Sequence, residues 1–276
     1  MKSPFGLLRL PDDCTEGPLL VHTDAQATRL LVPQTTSRSK LLTSHLGNIT
    51  ELADGRDVWM PTFNYDFCRT GHFDCLNDKS VVGPISEHFR TCGSDWRTIC
   101  PVFNFAGVGS EPDCNIEDDG LVDPFDGSSV FAQLVERGGS VVWYGAPFSS
   151  TTLIHHVETI CGRPVYRYDK IFPGTVRCKG TATDVTMRYH VRPSGFVFEY
   201  DWPRLLNEVT NAGIIKSIEP RAHLYSAQAR SIVEFWRHRL SEDPLYFLDR
   251  PTRLWVEDRL EELGRRFEQR DFEDMR

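Results

Sequence analysis

The stretch that most constrains this chain runs from Gly138 to Gly162, GGSVVWYGAPFSSTTLIHHVETICG. Gly138-Gly139 is a turn signal, and Ser140 to Ala146 is an apolar run with the length and β-branched content of a buried strand. Pro147 breaks it. Ser149, Ser150 and Thr151 then offer side-chain oxygens able to cap a helix over Thr152 to Cys161, and Gly162 is a natural stop. This strand–turn–helix carries two histidines and a carboxylate, His155, His156 and Glu158, just past the turn, where loops over a sheet edge commonly build sites. His155 and Glu158 are three apart, so on a helix they share a face.

The flanking sequence predicts a mixed α/β domain. Leu19 to Val21 reads as a first buried strand that releases His22, Thr23 and Asp24 at its end, and the polar stretch Gln34 to Ser39 breaks any long helix. Leu41 to Leu52 is a short helix and Val58 to Pro61 a second strand stopped by proline. Thr62 to Phe67 mixes aromatic and polar residues as a cleft wall does. Gly83 to Arg90 is helical, with Pro84 near its start, and Arg97 to Phe105 is an irregular strand. The acidic segment Glu111 to Asp126 reads as a surface loop, followed from Ser128 by a capped helix. Arg163 to Arg192 alternates as antiparallel strands do, and Leu205 to Ala212 and Ser226 to Leu240 are helices. Residues 1–250 are expected to form one domain, and 251–276, dense in Glu and Arg, a solvated helical extension.

At 276 residues and 40% hydrophobic, the chain can bury a sizeable core. A net charge of −8, from 39 acidic and 31 basic residues, argues against a general nucleic-acid binder and suits a cationic ligand or plain solubility. No run is apolar enough for a membrane span, and the N-terminal MKSPFGLLRLPDDCTEG lacks the features of a signal peptide, so a cytoplasmic protein is expected. The eight cysteines contain no CxxC pair, which indicates neither a zinc knuckle nor a disulfide scaffold; they read as small apolar residues.

His155, His156 and Glu158 admit three readings. Histidines near a helix start often only satisfy backbone groups. As metal ligands, with His22 as a further candidate, they are poorly placed, because adjacent histidines point about 100° apart on a helix. As a general base, a histidine in the first turns of a helix has its neutral form favoured by the dipole and can accept a proton near neutral pH, with a carboxylate one turn on to fix the ring. No Ser or Cys occupies a nucleophile-elbow pattern, so a base that activates an external nucleophile fits better than a covalent route.

The order of blocks LLVHTD, WMPTFNYDF, RTICPVFNFAGVG, DPFDGSSVFAQL and VVWYGAPFSSTTLIHHVE resembles the aminoglycoside 3-N-acetyltransferase family, across roughly residues 17–250. The resemblance implies an α/β fold and an acyl-CoA-dependent N-acyltransferase that acetylates a primary amine of an aminoglycoside or related amino sugar in a ternary complex. The family's Thr-x-x-His-x-x-Glu motif falls on Thr152, His155 and Glu158, which singles out His155 as base and Glu158 as its partner. By the same resemblance His22, Thr23, Ser128 and Ser129 would contact coenzyme A, and Tyr65, Asp66, Asn104 and Asp123 would face the amine. Acetyl-CoA or another acyl-CoA is the expected donor, with no metal, no nucleic acid and no membrane among the partners; a homodimer is compatible with the reading. Asp24 and Cys100 depart from the family pattern, and a carboxylate at 24 would repel coenzyme phosphates if it faced them. A nucleotide-linked amino sugar, a biosynthetic amine, or a non-catalytic binding role on the same fold are the alternatives. Acidic loops would favour a polycation; an Arg-lined pocket would favour a nucleotide sugar.

Overall fold

The computed structural model describes residues 8–273 except 15, 33, 34, 36, 114, 115 and 117–119. Parts of the polar stretch 34–39 and the acidic segment 111–126, and both chain ends, therefore lie outside the described residues. The elements in chain order are β1 (Leu19–Thr23), α1 (Arg38–Ala53), β2 (Val58–Pro61), α2 (Phe67–Thr70), β3 (His72–Asp74), α3 (Pro84–Cys92), β4 (Trp96–Arg97) and β5 (Phe105–Val108). Then follow β6 (Leu121–Val122), α4 (Val130–Glu136), β7 (Ser140–Tyr144), α5 (Leu153–Ile160), β8 (Tyr168–Cys178), β9 (Thr181–Val191) and α6 (Trp202–Asn211). The chain ends with β10 (Lys216–Glu219), β11 (Leu224–Gln228), α7 (Ala229–Glu242) and α8 (Arg250–Leu263). Among the described residues no helix is long and apolar enough to cross a membrane.

Seven strands make the main sheet in the order β10-β11-β7-β1-β2-β5-β4, and four make a second sheet in the order β3-β8-β9-β6. β7 lies at the heart of the main sheet, parallel to β1 on one side and antiparallel to β11 on the other. Its five residues are all buried, which is why SVVWY reads as one apolar run and not as an alternation. From β1 the chain crosses to β2 on one side, whereas β7 joins on the other. The carboxyl ends of β1 and β7 therefore flank a topological switch point, the place in an open sheet where a crevice forms.

The structure revises several expectations. The helix expected over Ser226 to Leu240 begins only at Ala229, because Leu224 to Gln228 pair along the whole of β7. The acidic segment is not all surface loop: Leu121 and Val122 pair with β9, and Asp123 and Phe125 are buried. α8 is not solvated throughout, since Thr252 and Val256 are buried and Phe267 beyond it is 1% exposed, with Val256 and Phe267 in the main core.

The cysteine reading also needs correction: Cys75 and Cys178 form a disulfide, with Cα atoms 5.2 Å apart. They are 103 residues apart in sequence, so no spacing rule could pair them. β3 and β8 run parallel with Asp74 opposite Arg177, which brings the next residue on each strand together.

Candidate active site

The turn between β7 and α5 is held by packing and by side-chain hydrogen bonds. Gly145 has φ +77°, and a Cβ there would come within 2.8 Å of the Asp24 carbonyl oxygen, so only glycine fits this exit from the strand. Trp143 at the end of β7 donates its indole N–H to Thr151 Oγ1 at 2.9 Å, tying the strand to the turn before α5. α5 itself is enclosed: Leu153, Ile154, His156, Val157 and Glu158 are all buried. A helix buried on most faces has no polar side for a carboxylate, so Glu158 must be satisfied within the protein.

It is satisfied completely. Glu158 Oε2 lies 2.8 Å from His155 Nδ1 and 3.0 Å from His190 Nε2, while Oε1 accepts from the Tyr166 hydroxyl at 2.8 Å and the Tyr200 hydroxyl at 2.5 Å. Arg167 Nε is 3.8 Å from Oε1, and Arg167 Nη2 donates to the Tyr200 oxygen at 2.7 Å. Burial alone would raise the Glu158 pKa, but the Arg167 guanidinium and the two histidines hold it well below the usual carboxylate range. An ionised carboxylate only accepts, so both histidines present N–H to it. The proton of neutral His155 is thereby assigned to Nδ1, which leaves the Nε2 lone pair as the available acceptor. The sequence pointed to the helix but not to His190, Tyr166, Arg167 or Tyr200, which arrive from β9 and from loops far along the chain. A polar residue buried within a half-exposed hairpin, as His190 is, was the only local signal.

Two cavities meet at His155. The smaller, about 340 Å³, opens at the carboxyl ends of β1, β2 and β7 and is lined by His22, Thr23, Pro61, Ser149, Thr152 and His155 among others. The larger, about 590 Å³, is lined by His155, His190, Arg192, Glu199 and aromatic rings that include Tyr65, Tyr189 and Trp202. His22 and Thr23 thus sit at the smaller cavity. His22 is buried with no hydrogen-bond partner for Nε2, a group that a ligand amide or hydroxyl in that cavity would satisfy. Tyr65 lies where the two cavities join.

The other expected contacts line neither cavity. Ser129 caps α4, accepting from the Ala132 N–H, and Ser128 donates to Asp126. Asp66 pairs with Arg69 at 3.2 Å. Asn104 is fully buried, taking hydrogen bonds from Arg97 at 2.9 Å and Thr62 at 2.7 Å. Asp123 is buried in an ion pair with Arg163. The Asp24 carboxylate accepts from the backbone N–H groups of Gln26 and Ala27, so it is spent on its own turn. His156, two-sided in the sequence, donates or accepts at Nδ1 with the Phe125 carbonyl at 2.8 Å, and as the partner is a carbonyl, Nδ1 carries the proton.

Among the described residues, His155, Glu158 and His190 are the grouping with metal-ligand chemistry, their ligand atoms lying within 4.8 Å of one another. The carboxylate oxygen they share already accepts two N–H bonds, and a guanidinium stands 3.8 Å from its other oxygen. A divalent ion would displace those protons beside a fixed positive charge, so the donor set does not suit one.

Burial also pushes His22, His45 and His155 down to about 4, opposed at His155 by Glu158. An unfolded histidine takes its proton near pH 6.5, so between about 6.5 and about 4 the unfolded chain binds protons that the folded chain refuses, and stability falls as pH falls. Each contributes on the order of 3 kcal/mol at most over that window. Glu158, held down, keeps its contribution until lower pH. The expected result is a calorimetric unfolding midpoint that drops steadily from about pH 7 to about pH 5. A flat midpoint over that range contradicts neutral, buried histidines.

The fold is shared with solved acetyltransferases. The structure of aminoglycoside acetyltransferase AAC(3)-IVa as apoenzyme matches with a TM-score of 0.62 at 20% identity, covering 85% of each chain. That of AAC-IIIb with CoASH matches with a TM-score of 0.63 at 17% identity, covering 83% of this chain and 91% of that one. Aminoglycoside N(3)-acetyltransferase VII from Streptomyces paromomycinus is 33% identical over 86 residues, a match that spans 31% of this chain and only 30% of that relative. The sequence model for aminoglycoside 3-N-acetyltransferases matches residues 31–241, from before α1 to the end of α7 and including both β7 and α5. A match over that much of the sequence, enclosing the histidine and glutamate of the helix, means that the chain belongs to the aminoglycoside 3-N-acetyltransferase family.

Proposed function

We propose that this chain transfers an acetyl group from acetyl-CoA to a primary amine of an amino sugar, with His155 as general base and no acyl-enzyme. The observation that carries the reading is the fixed tautomer of His155, whose Nδ1–H is held by Glu158 at the meeting point of two cavities. Two of the similar proteins, solved with CoASH and with gentamicin respectively, support the assignment of one cavity to the donor and one to the amine.

The smaller cavity takes the pantetheine arm, with His22 and Thr23 at the strand end and Ser149 and Thr152 at the turn before α5. The larger takes the acceptor. An alkyl ammonium has a pKa above neutrality and must lose a proton to attack a thioester carbonyl. As the N–C bond forms, His155 Nε2 takes a proton from the amine, directly or through a water. The carbonyl oxygen becomes an oxyanion, which backbone N–H groups at the strand ends and the first turn of α5 stabilise. Collapse breaks the C–S bond, and coenzyme A leaves as a thiolate that takes up the proton held by the imidazolium. Glu158 stabilises that imidazolium while it exists.

The test is release of coenzyme A thiol from acetyl-CoA against a panel of amino sugars and other primary amines, in the presence and absence of a chelator. Acceptor-dependent release that is unchanged by chelation is expected. Activity lost on chelation and restored by zinc overturns the metal-free mechanism, and release that never depends on an amine overturns the transferase reading.

A further inference from the structure

We infer that the amine acylated here is borne on a ring that also carries an acidic substituent, and that Arg192, at the mouth of the larger cavity, receives that substituent. The inference rests on the acyl-transfer reading above and adds to it the charge of the acceptor.

The carboxylates are where the argument begins. A compound with several ammonium groups brings several charges into a partly dry cleft, and each needs a counter-charge to repay its desolvation. Among the described residues the larger cavity offers two carboxylates at most. Glu158 is wholly buried behind His155 and already accepts four hydrogen bonds beside Arg167, so it has no lone pair or unbalanced charge to give. Glu199 is exposed at the rim. The acidic side chains close by in sequence are used elsewhere: Asp66 on Arg69, Asp123 and Asp169 on Arg163, Asp201 on Arg204. Against the single rim carboxylate stands Arg192, which is exposed and holds its guanidinium to the Phe198 carbonyl at 3.2 Å. Its charge reaches the Tyr65 hydroxyl on the far side of the mouth, whose pKa burial raises and Arg192 lowers.

The walls supply the rest. On one side Phe103 packs on Phe125 with ring centroids 4.6 Å apart and on Tyr189 at 5.2 Å; on the other, Tyr200 packs on Trp202 at 5.4 Å. His155 lies between the two groups, 5.2 Å from Phe125 and 6.1 Å from Tyr200. Aromatic faces of this kind hold the apolar face of a sugar or the plane of a base. One amine fits at His155, one ring fits between the walls, and an anion fits at Arg192, where a guanidinium matches phosphate or carboxylate geometry.

The experiment compares acetyl-CoA-dependent thiol release with glucosamine, glucosamine 6-phosphate and gentamicin, in the wild type and in Arg192→Glu, with calorimetric binding of the same three compounds. Expected are a kcat/KM for the phosphate-bearing amine at least about tenfold above glucosamine and above gentamicin, and loss or reversal of that preference in Arg192→Glu. Preference for gentamicin in the wild type, or an unchanged ratio in Arg192→Glu, overturns the inference while leaving acyl transfer in place. Absence of both binding and turnover of the phosphate-bearing amine also overturns it. Arg192-dependent binding of that amine without thiol release from any acceptor supports the charge assignment and sinks the acyl-transfer reading instead.

Discussion

Replacing His155 by alanine is expected to lower acetyl transfer on the order of a hundredfold or more while leaving the chain folded, since the side chain is 22% exposed at a junction of cavities and not a packing element. The loss should appear in kcat as well as kcat/KM, because a base acts on the proton that leaves during attack. His156→Ala separates chemistry from structure. His156 is buried, bonds the Phe125 carbonyl and lies over Phe131, so its loss leaves a cavity and an unpaired carbonyl oxygen. That variant should melt earlier, by about 2–4 kcal/mol in stability, and keep most of its turnover. If His156 proves essential to turnover and His155 dispensable, the base is misassigned by one position and the mechanism fails with it.

Glu158→Gln should act twice. A carboxylate can accept from His155, His190, Tyr166 and Tyr200 at once; an amide accepts on one oxygen only and turns an NH2 group toward donors. The buried Arg167 also loses the charge opposite it. Breaking a buried pair from one side costs about 3–5 kcal/mol, so a marked fall in unfolding midpoint is expected. The second effect is on chemistry: His155 loses the acceptor that fixes its tautomer and stabilises its cation. Turnover should fall while the apparent affinity for the amine changes little, and in a His155→Ala background the substitution should cost almost no further turnover. The stability loss, by contrast, should persist in that background, because Tyr166, Tyr200, His190 and Arg167 are still there. Additive losses in turnover, or an effect confined to the amine's KM, would mean that Glu158 binds the cationic substrate and His155 works without it.

Sequence alone determined what depends on near neighbours. The run Ser140 to Tyr144 could only be a buried strand, Gly145 and Pro147 had to end it, and the i, i+3 spacing put His155 and Glu158 on one face, where Nδ1 and Oε2 are 2.8 Å apart. Leu19 to Thr23 and Val58 to Pro61 were likewise legible, because a strand buried on both faces has no polar residue to conceal it. Tertiary structure alone decided whatever needed two distant segments to meet. Ser226 and Ala227 look as helical as they look extended, and only pairing with β7 makes them a strand. Cys75 finds Cys178 through the register of β3 and β8. Asp66, Asn104 and Asp123 have the chemistry of substrate contacts, yet each is met first by an arginine, at 69, 97 and 163, whose position no local pattern gives. Glu158 shows the division within one residue: its helix face was set by spacing, whereas its charge and its hold on His155 come from Arg167, His190 and two tyrosines. A carboxylate taken out of water is fixed by every donor around it, and those donors are chosen by the fold.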